Sequence, residues 1–320
     1  MAVNIPTRRL GGIDFDATVL ALGCWAFGGA AWGGQEDADS LAAMQAAAEA
    51  GINHFDTAQG YGDGRSERLV GDFLQGRRDV FVATKFFVDE PTTAAALAAV
   101  ETSRERLRMD CIHLFYIHWP RTGVDLRPVM EGLEQARAAG KIAGIGVSNF
   151  SPEQMEQVMQ VGRIDAHQFC YNMYWRFAER EVIPFCRQHQ IGTVTYSSIA
   201  QGILTGKFGP QPSFPEGDHR PGTVLFSPEV YPHLYAATEE LKALAAETGR
   251  DLVQLVIRWT AEQPGIDSVL VGARNAAQVR DNAGAFDGEV PAEVLARMTA
   301  ISDEAMSHVP DVGNIFRFYP

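Results

Sequence analysis

The chain lacks several things that would each announce a function. No stretch approaches the ~18 consecutive apolar residues of a membrane-spanning helix. The first residues, Met-Ala-Val-Asn-Ile-Pro-Thr-Arg-Arg, carry no apolar core of a signal peptide. The four cysteines (Cys24, Cys111, Cys170 and Cys186) are widely spaced and form no CxxC pair, which argues against a disulfide framework or a zinc site. No HxH or HExxH appears, although His54, His113 and His118 fall on apolar runs. No GxGxxG follows the first apolar strand; Gly60-Tyr-Gly-Asp-Gly64 comes nearest and fails the spacing, so a Rossmann-type pyrophosphate turn is absent. Basic residues are in the minority: the net charge of −13 disfavours nucleic acid and anionic membranes as partners. The absence of a signal peptide, a membrane-spanning run and a disulfide framework points to a cytoplasmic location.

What remains is 320 residues, 46% apolar and 21% charged, ample for one large core and read here as one domain over 1–320. Short β-rich runs alternate with Ala/Leu/Glu-rich segments. Strands are expected at 19–23, 52–56, 80–85, 111–118, 143–148, 165–170, 192–197 and 268–272. Helices are expected at 40–50, 66–74, 93–107, 128–139, from Ser151-Pro152, at 179–190 and at 276–283. Ser66 and Ser151 read as helix caps, and Gly51, Gly76 and Gly140 as stops. A small hairpin over 8–15, turning at Gly11-Gly12, precedes the first unit, and extra helices occupy 230–248 and 291–302. Strands that alternate with helices pair in parallel, and eight such units fit an α/β fold of the closed (β/α)8, or TIM-barrel, type; a doubly wound open sheet is the alternative. The Gly/Pro-rich segment 208–227 is too long for a plain connector and reads as a lid.

Chemistry gathers at strand ends. Asp56 closes the second strand, Tyr61 follows it, Lys85 ends the third and His118 the fourth. Singly, each has an ordinary explanation as a cap, turn residue, surface charge or structural histidine. Jointly they converge on the C-terminal mouth of a barrel, where active sites of this architecture lie. A phenol of ordinary pKa near about 10 exchanges protons poorly at neutral pH. An adjacent ammonium lowers that pKa, an aspartate holds the ammonium, and a histidine can orient a carbonyl oxygen. Tyr61 would then serve as the general acid.

Phe55-Asp-Thr-Ala-Gln-Gly-Tyr-Gly62, Thr84-Lys85, His118-Trp-Pro120, Gly146-Val-Ser-Asn-Phe150 and Tyr196-Ser-Ser-Ile-Ala-Gln-Gly-Ile-Leu-Thr-Gly-Lys207 resemble the aldo-keto reductases. The resemblance runs from the hairpin to about residue 290, and Val271-Gly-Ala-Arg-Asn275 is similar to the bacterial branch that includes inositol-operon-associated reductases and potassium-channel β-subunits. It implies NADP(H)-dependent oxidoreductase activity on an aldehyde or ketone, or on the matching alcohol. The catalytic tetrad would be Asp56, Tyr61, Lys85 and His118. Nicotinamide contacts would fall on Ser148, Asn149 and Gln168, with the ring against Tyr196, and Cys24 and Trp25 beside the cofactor. The pyrophosphate would lie along Ser197, Ser198, Ile199, Ala200 and Gln201, near Lys207 and Arg220. The adenosine end would meet Gly272, Arg274, Gln278 and Asn282, with Arg274 matched to the 2′-phosphate. Trp25, Phe27, Trp32, Phe87 and Trp119 are candidates for an apolar substrate wall. The rival functions are a non-catalytic NADP(H)-binding regulatory subunit and a metal-dependent barrel hydrolase. The sequence carries no signal for an oligomeric state, and the aromatic tail Asn314-Ile-Phe-Arg-Phe-Tyr-Pro320 has no assigned place.

Overall fold

A computed structural model describes residues 4–29 and 33–317. Two short antiparallel strands, β1 (Thr7–Arg8) and β2 (Ala17–Thr18), precede eight parallel strands. These are β3 (Leu20–Gly23), β4 (His54–Asp56), β5 (Phe81–Phe86), β6 (Ile112–Ile117), β7 (Ile142–Ser148), β8 (Ala166–Cys170), β9 (Gly192–Tyr196) and β10 (Ser268–Gly272). They pair in chain order, and β10 bonds to both β9 and β3, closing a barrel as the repeating pattern requires.

Helices return each strand to the next: α1 (Asp37–Glu49), α2 (Arg65–Leu74), α3 (Thr93–Leu107), α4 (Arg127–Ala138), α5 (Pro152–Met159) and α6 (Val182–Gln188). Then come α7 (Tyr231–Thr248), α8 (Leu252–Ala261), α9 (Ala276–Ala283) and α10 (Ala292–Met306). The sequence reading left α8 unassigned. Its run Leu252-Val-Gln-Leu-Val-Ile-Arg-Trp is apolar on most sides and begins three residues after α7 stops at left-handed Gly249, so periodicity alone does not separate it. It is nevertheless the helix that completes the seventh unit, and α7 is the extra one. The expected helix at 179–190 is also shorter. Pro184 has no N–H and fits only a first turn, so α6 starts at Val182 after a separate single turn at Phe177–Glu179. Ser151 caps α5 as expected: its hydroxyl accepts from Gln154 N (3.3 Å), and Gln154 Oε1 accepts from Ser151 N (2.9 Å). Ser66 does not cap α2, because Gly64, in left-handed conformation, takes that position.

The barrel floor is sealed by the hairpin turn. Leu10 and Ile13 join Ala21, Phe81, Ala83, Leu114, Tyr116, Ala166 and Val194 in one buried interior cluster. A Cβ on Gly144 would lie 2.4 Å from Ile13, and one on Gly11 would lie 2.3 Å from the carbonyl oxygen of Asp165, so both glycines are needed for this plug to seat. Asp165 ties the turn down, accepting from Gly12 N (3.2 Å) and Ile145 N (2.9 Å), with Arg137 at 3.3 Å. Outside the strands, a larger apolar layer fills the space beneath the helices.

Three strand histidines are structural. His54 Nδ1 meets Ser268 Oγ (3.1 Å), His113 Nδ1 accepts from Val82 N (3.1 Å), and His167 Nε2 accepts from Phe150 N (3.2 Å). Burial lowers the imidazoles of His54 and His167 from 6.5 to about 3, with Lys85 adding to the effect at His54, and lowers His113 to about 4. The folded state therefore resists protons that the unfolded chain binds. This contribution to stability is complete above about pH 6.5 and is lost as pH falls towards the folded values. At about pH 5, His54 and His167 should each cost the fold about 2 kcal/mol. Urea unfolding at about pH 7.5 and about pH 5 is expected to show this loss, and equal stability at both values would contradict it.

Candidate active site

Asp56, Lys85 and His118 stand at or just beyond the C-terminal ends of β4, β5 and β6, and the loop after β4 brings Tyr61 over them. The loop is held by backbone bonds from Gln59 N to Lys85 O (2.9 Å) and from Tyr61 N to Ala58 O (3.1 Å). Gly62 crosses Gly28 so closely that a Cβ there would sit 2.3 Å from the Gly28 oxygen; its φ of +64° also calls for glycine.

Lys85 and Asp56 are fully buried and form an ion pair through Nζ and Oδ1. Lys85 Nζ also donates to Thr57 O (2.8 Å) and lies 3.4 Å from the Tyr61 hydroxyl. The second Asp56 oxygen accepts from Gln168 Nε2 (2.8 Å). Burial works to lower the Lys85 pKa, but Asp56 and then Tyr61 outweigh it, so the ammonium is held firmly charged. Contrary to the expectation from sequence, Lys85 does not lower the Tyr61 phenol overall. Lys85 does pull the phenol down, but burial around it, reinforced by Asp56, prevails, and Tyr61 is raised above its ordinary value. The phenol is therefore the protonated, donating form. His118 packs edge-on to Tyr61 (5.9 Å between centroids) and against Phe87 (4.5 Å). Burial, then the Lys85 charge, holds its imidazole well below 6.5, so it is neutral in the physiological range.

Asp56, Tyr61, Phe87 and His118 line a cleft of about 880 Å³ across the barrel mouth, with Lys85 buried behind them. Ser148, Asn149, Gln168 and Tyr196 border it beside the tetrad, and Ser197, Ser198, Ile199 and Gln201 continue along it. Tyr196 donates to Asn149 Oδ1 (2.7 Å), and Asn149 Nδ2 donates to His118 O (3.2 Å), so these side chains are braced against one another. Ser197, Ala200 and Gln201 adopt positive φ (54°, 48° and 56°), followed by Gly202 at 95°. Ala200 N and Gly202 N bond back to Ser197 O (2.7 Å) and Ile199 O (2.9 Å), so these residues fold the chain into tight turns along the cleft. Lys207, Arg220 and Arg274 face the same stretch, and Gly272, Gln278 and Asn282 lie at its far end. Burial, then Arg220 and Arg274, lowers Lys207, as expected where cations gather with too little counter-charge. Asp218 supplies part of it, gripping Arg220 at 2.9 Å. Arg274 Nε donates to Gln35 Oε1 (3.0 Å), which sets its guanidinium at the cleft edge.

Trp25, Phe87 and Trp119 line the mouth as expected, whereas Phe27 is fully buried beneath it and Trp32 lies outside the described residues. Two expected contacts are not on the surface of the cleft. Cys24 is buried with its thiol turned to Leu22 O (3.6 Å), and the Ala200 side chain is buried behind the loop. Sequence reasoning missed His219 and Phe316. His219 Nε2 donates to Gln201 Oε1 (2.8 Å), and the ring stacks obliquely on Trp25 (4.6 Å). Phe316, from the unplaced tail, lies near-parallel to Tyr196 (6.1 Å) and edge-on to Trp25 (6.1 Å) and Trp119 (6.4 Å). The segment 206–230 is held by an aromatic cluster of Phe208, Phe214 and Phe226, and it pairs with the tail through Val224 N to Ile315 O (2.9 Å). The spacing of aromatics in both segments was the available signal, but it names no partner. Among the described residues, no three His, Cys, Asp or Glu side chains could hold a metal ion.

Comparison with known proteins agrees with this geometry. The model of the aldo/keto reductase family matches residues 19–303. The aldo-keto reductase YhdN of Bacillus subtilis is 36% identical over 82% of this chain and 83% of its own length. The NADH-specific methylglyoxal reductase of Escherichia coli is 29% identical, covering 87% and 92%. Among solved structures, the glycerol dehydrogenase of Gluconobacter oxydans superposes with a TM-score of 0.83 at 32% identity, over 97% of this chain and 96% of that one. An aldo/keto reductase of Klebsiella pneumoniae in complex with NADP and acetate gives 0.76 at 25% identity, over 93% and 95%. Closed barrel, strand-end tetrad and family match coincide, and the chain belongs to the aldo/keto reductase family.

Proposed function

We propose that Tyr61, Lys85, Asp56 and His118 carry out the reduction of an apolar aldehyde or ketone by NADPH, or the reverse oxidation. The observation that carries this reading is a protonated phenol 3.4 Å from a buried ammonium, at one end of a long cleft whose other end is cationic.

The residues present fit NADP(H). The Ser197 and Gln201 side chains on the tight turns of 197–202, with the cations Lys207 and Arg220, suit a pyrophosphate, and Arg274 at the far end suits a 2′-phosphate. Gln168 and Asn149 amides and the Tyr196 face suit the nicotinamide. When bound, the cofactor supplies a hydride to the carbonyl carbon. His118, neutral and partly buried, orients the carbonyl oxygen, and Tyr61 gives its proton to that oxygen as charge develops there. Lys85, held by Asp56, stabilises the phenolate left behind until solvent restores the proton. Trp25, Phe87, Trp119 and Phe316 form an apolar wall beside these groups, which favours uncharged substrates. Four free cysteines support a cytoplasmic setting, and one closed barrel supports a single domain over 1–320. No helix among the described residues is long and apolar enough to cross a membrane. The net negative charge supports small molecules, not nucleic acid or membrane, as partners.

Tyr61→Phe should lose about 10²–10⁴-fold in carbonyl reduction while binding NADPH as the wild type does. Turnover of a carbonyl panel, followed by NADPH absorbance, checks this, and a fully active variant would remove Tyr61 from its role. Arg274→Ala should weaken NADPH by about tenfold or more and NADH far less, read by fluorescence titration. Equal losses for both cofactors would contradict the 2′-phosphate assignment.

A further inference from the structure

Behind the tetrad, on the outer side of the strands, lies a second set of polar side chains that the proposed chemistry does not use. Alternation along β5 turns Lys85 into the barrel and its neighbour Thr84 outward. There, Thr84 Oγ1 donates to Glu67 Oε1 on α2 (2.7 Å). The same oxygen accepts from Ser103 Oγ on α3 (2.7 Å), and Ser103 Oγ accepts in turn from Gln59 Nε2 (2.9 Å). Gln59 also donates to Ala99 O (2.7 Å). Arg106 Nη1 donates to the other Glu67 oxygen (3.3 Å) and balances its charge. Thr84, Glu67 and Ser103 are fully buried.

The ends of this chain matter. Gln59 is two residues before Tyr61, and Thr84 is one residue before Lys85. A continuous run, Gln59 to Ser103 to Glu67 to Thr84, therefore links the two backbone segments that carry the proton donor and its ammonium. The only other direct ties between these segments among the described hydrogen bonds are through the main chain and Lys85 itself. A buried carboxylate held by three donors is rigid, because releasing any one of them leaves an unpaired polar group away from water.

We infer that Glu67, with Ser103 and Thr84, is a positioning device that sets the distance between Tyr61 and Lys85, acting through the backbone and touching no reacting atom. The inference rests on the proposed roles of Tyr61 and Lys85. A larger gap would weaken the stabilisation of the phenolate, and proton delivery would lag behind hydride transfer without any change at the cofactor end of the cleft.

The test uses the full-length protein and variants Ser103→Ala, Thr84→Val and Thr84→Ser, with Tyr61→Phe alongside. Single-turnover oxidation of NADPH by 4-nitrobenzaldehyde is followed in H2O and D2O, and NADPH affinity is taken from fluorescence. Ser103→Ala and Thr84→Val should slow the single turnover by about tenfold and enlarge the solvent isotope effect. Their NADPH affinity should stay within roughly twofold of wild type, and Thr84→Ser, which keeps the hydroxyl, should recover the wild-type rate within about twofold. Unchanged rates in Ser103→Ala and Thr84→Val, with Tyr61→Phe inactive, would overturn this inference alone. Rate and affinity falling together, with the isotope effect unmoved, would mark the chain as merely structural and also overturn it. An active Tyr61→Phe would overturn the reading of the site on which it stands.

Discussion

A lysine ammonium with no exposed surface sits at the centre of this molecule, and much of the barrel mouth is arranged around it. Removing such a charge from water costs on the order of several kcal/mol, and leaving it unpaired would cost the fold more than one salt bridge returns. Lys85 is satisfied on each side, by the Asp56 carboxylate, by Thr57 O and by the edge of the Tyr61 hydroxyl. Asp56 is in turn steadied by Gln168. These partners come from the end of β4, the loop after it and β8, so the ion pair binds β4, β5, β8 and the loop after β4 to one another. The same constraint decides the protonation states nearby. Burial, reinforced by the Lys85 charge, keeps His118 neutral, and burial, stronger than that charge, keeps Tyr61 protonated.

The parts of this arrangement that follow local rules were legible in the sequence. Strand runs bounded by glycine and proline located eight strands to within two residues at most ends, and residues just beyond them pointed to the mouth. Ser151-Pro152 specified its cap because both partners are within three residues. What stayed hidden depends on long-range packing. Ser66 carries the residue type of a cap, yet its hydroxyl accepts from Thr57 Oγ1 (2.8 Å) and donates to Cys24 O (2.8 Å), contacts that exist only once β3 and β4 are side by side. The rise in the Tyr61 pKa depends on how fully Trp25, His118 and the loop enclose it, which no spacing encodes. The aromatic tail could be seen to want a partner, but Tyr196, Trp25 and Trp119 lie between roughly 120 and 290 residues earlier in the chain.

The segment 206–230 and the tail belong together. An internal cluster of phenylalanines stiffens the first, with the Arg220 guanidinium over Phe214 (5.0 Å) and Phe208 (5.5 Å). One backbone bond and the buried Ile315 fasten the tail to it. His219 and Phe316 reach Trp25 from these two segments, so both meet on one indole at the rim of the cleft.

The sealed floor has a kinetic meaning. With Leu10 and Ile13 filling the barrel from below, nothing passes through its axis, and every exchange with solvent takes place at the single upper opening. Anything that reaches the tetrad enters and leaves past the aromatic rim of Trp25, Phe87 and Trp119. The eight-residue turn between β1 and β2 thereby makes the barrel mouth a dead end and not a channel.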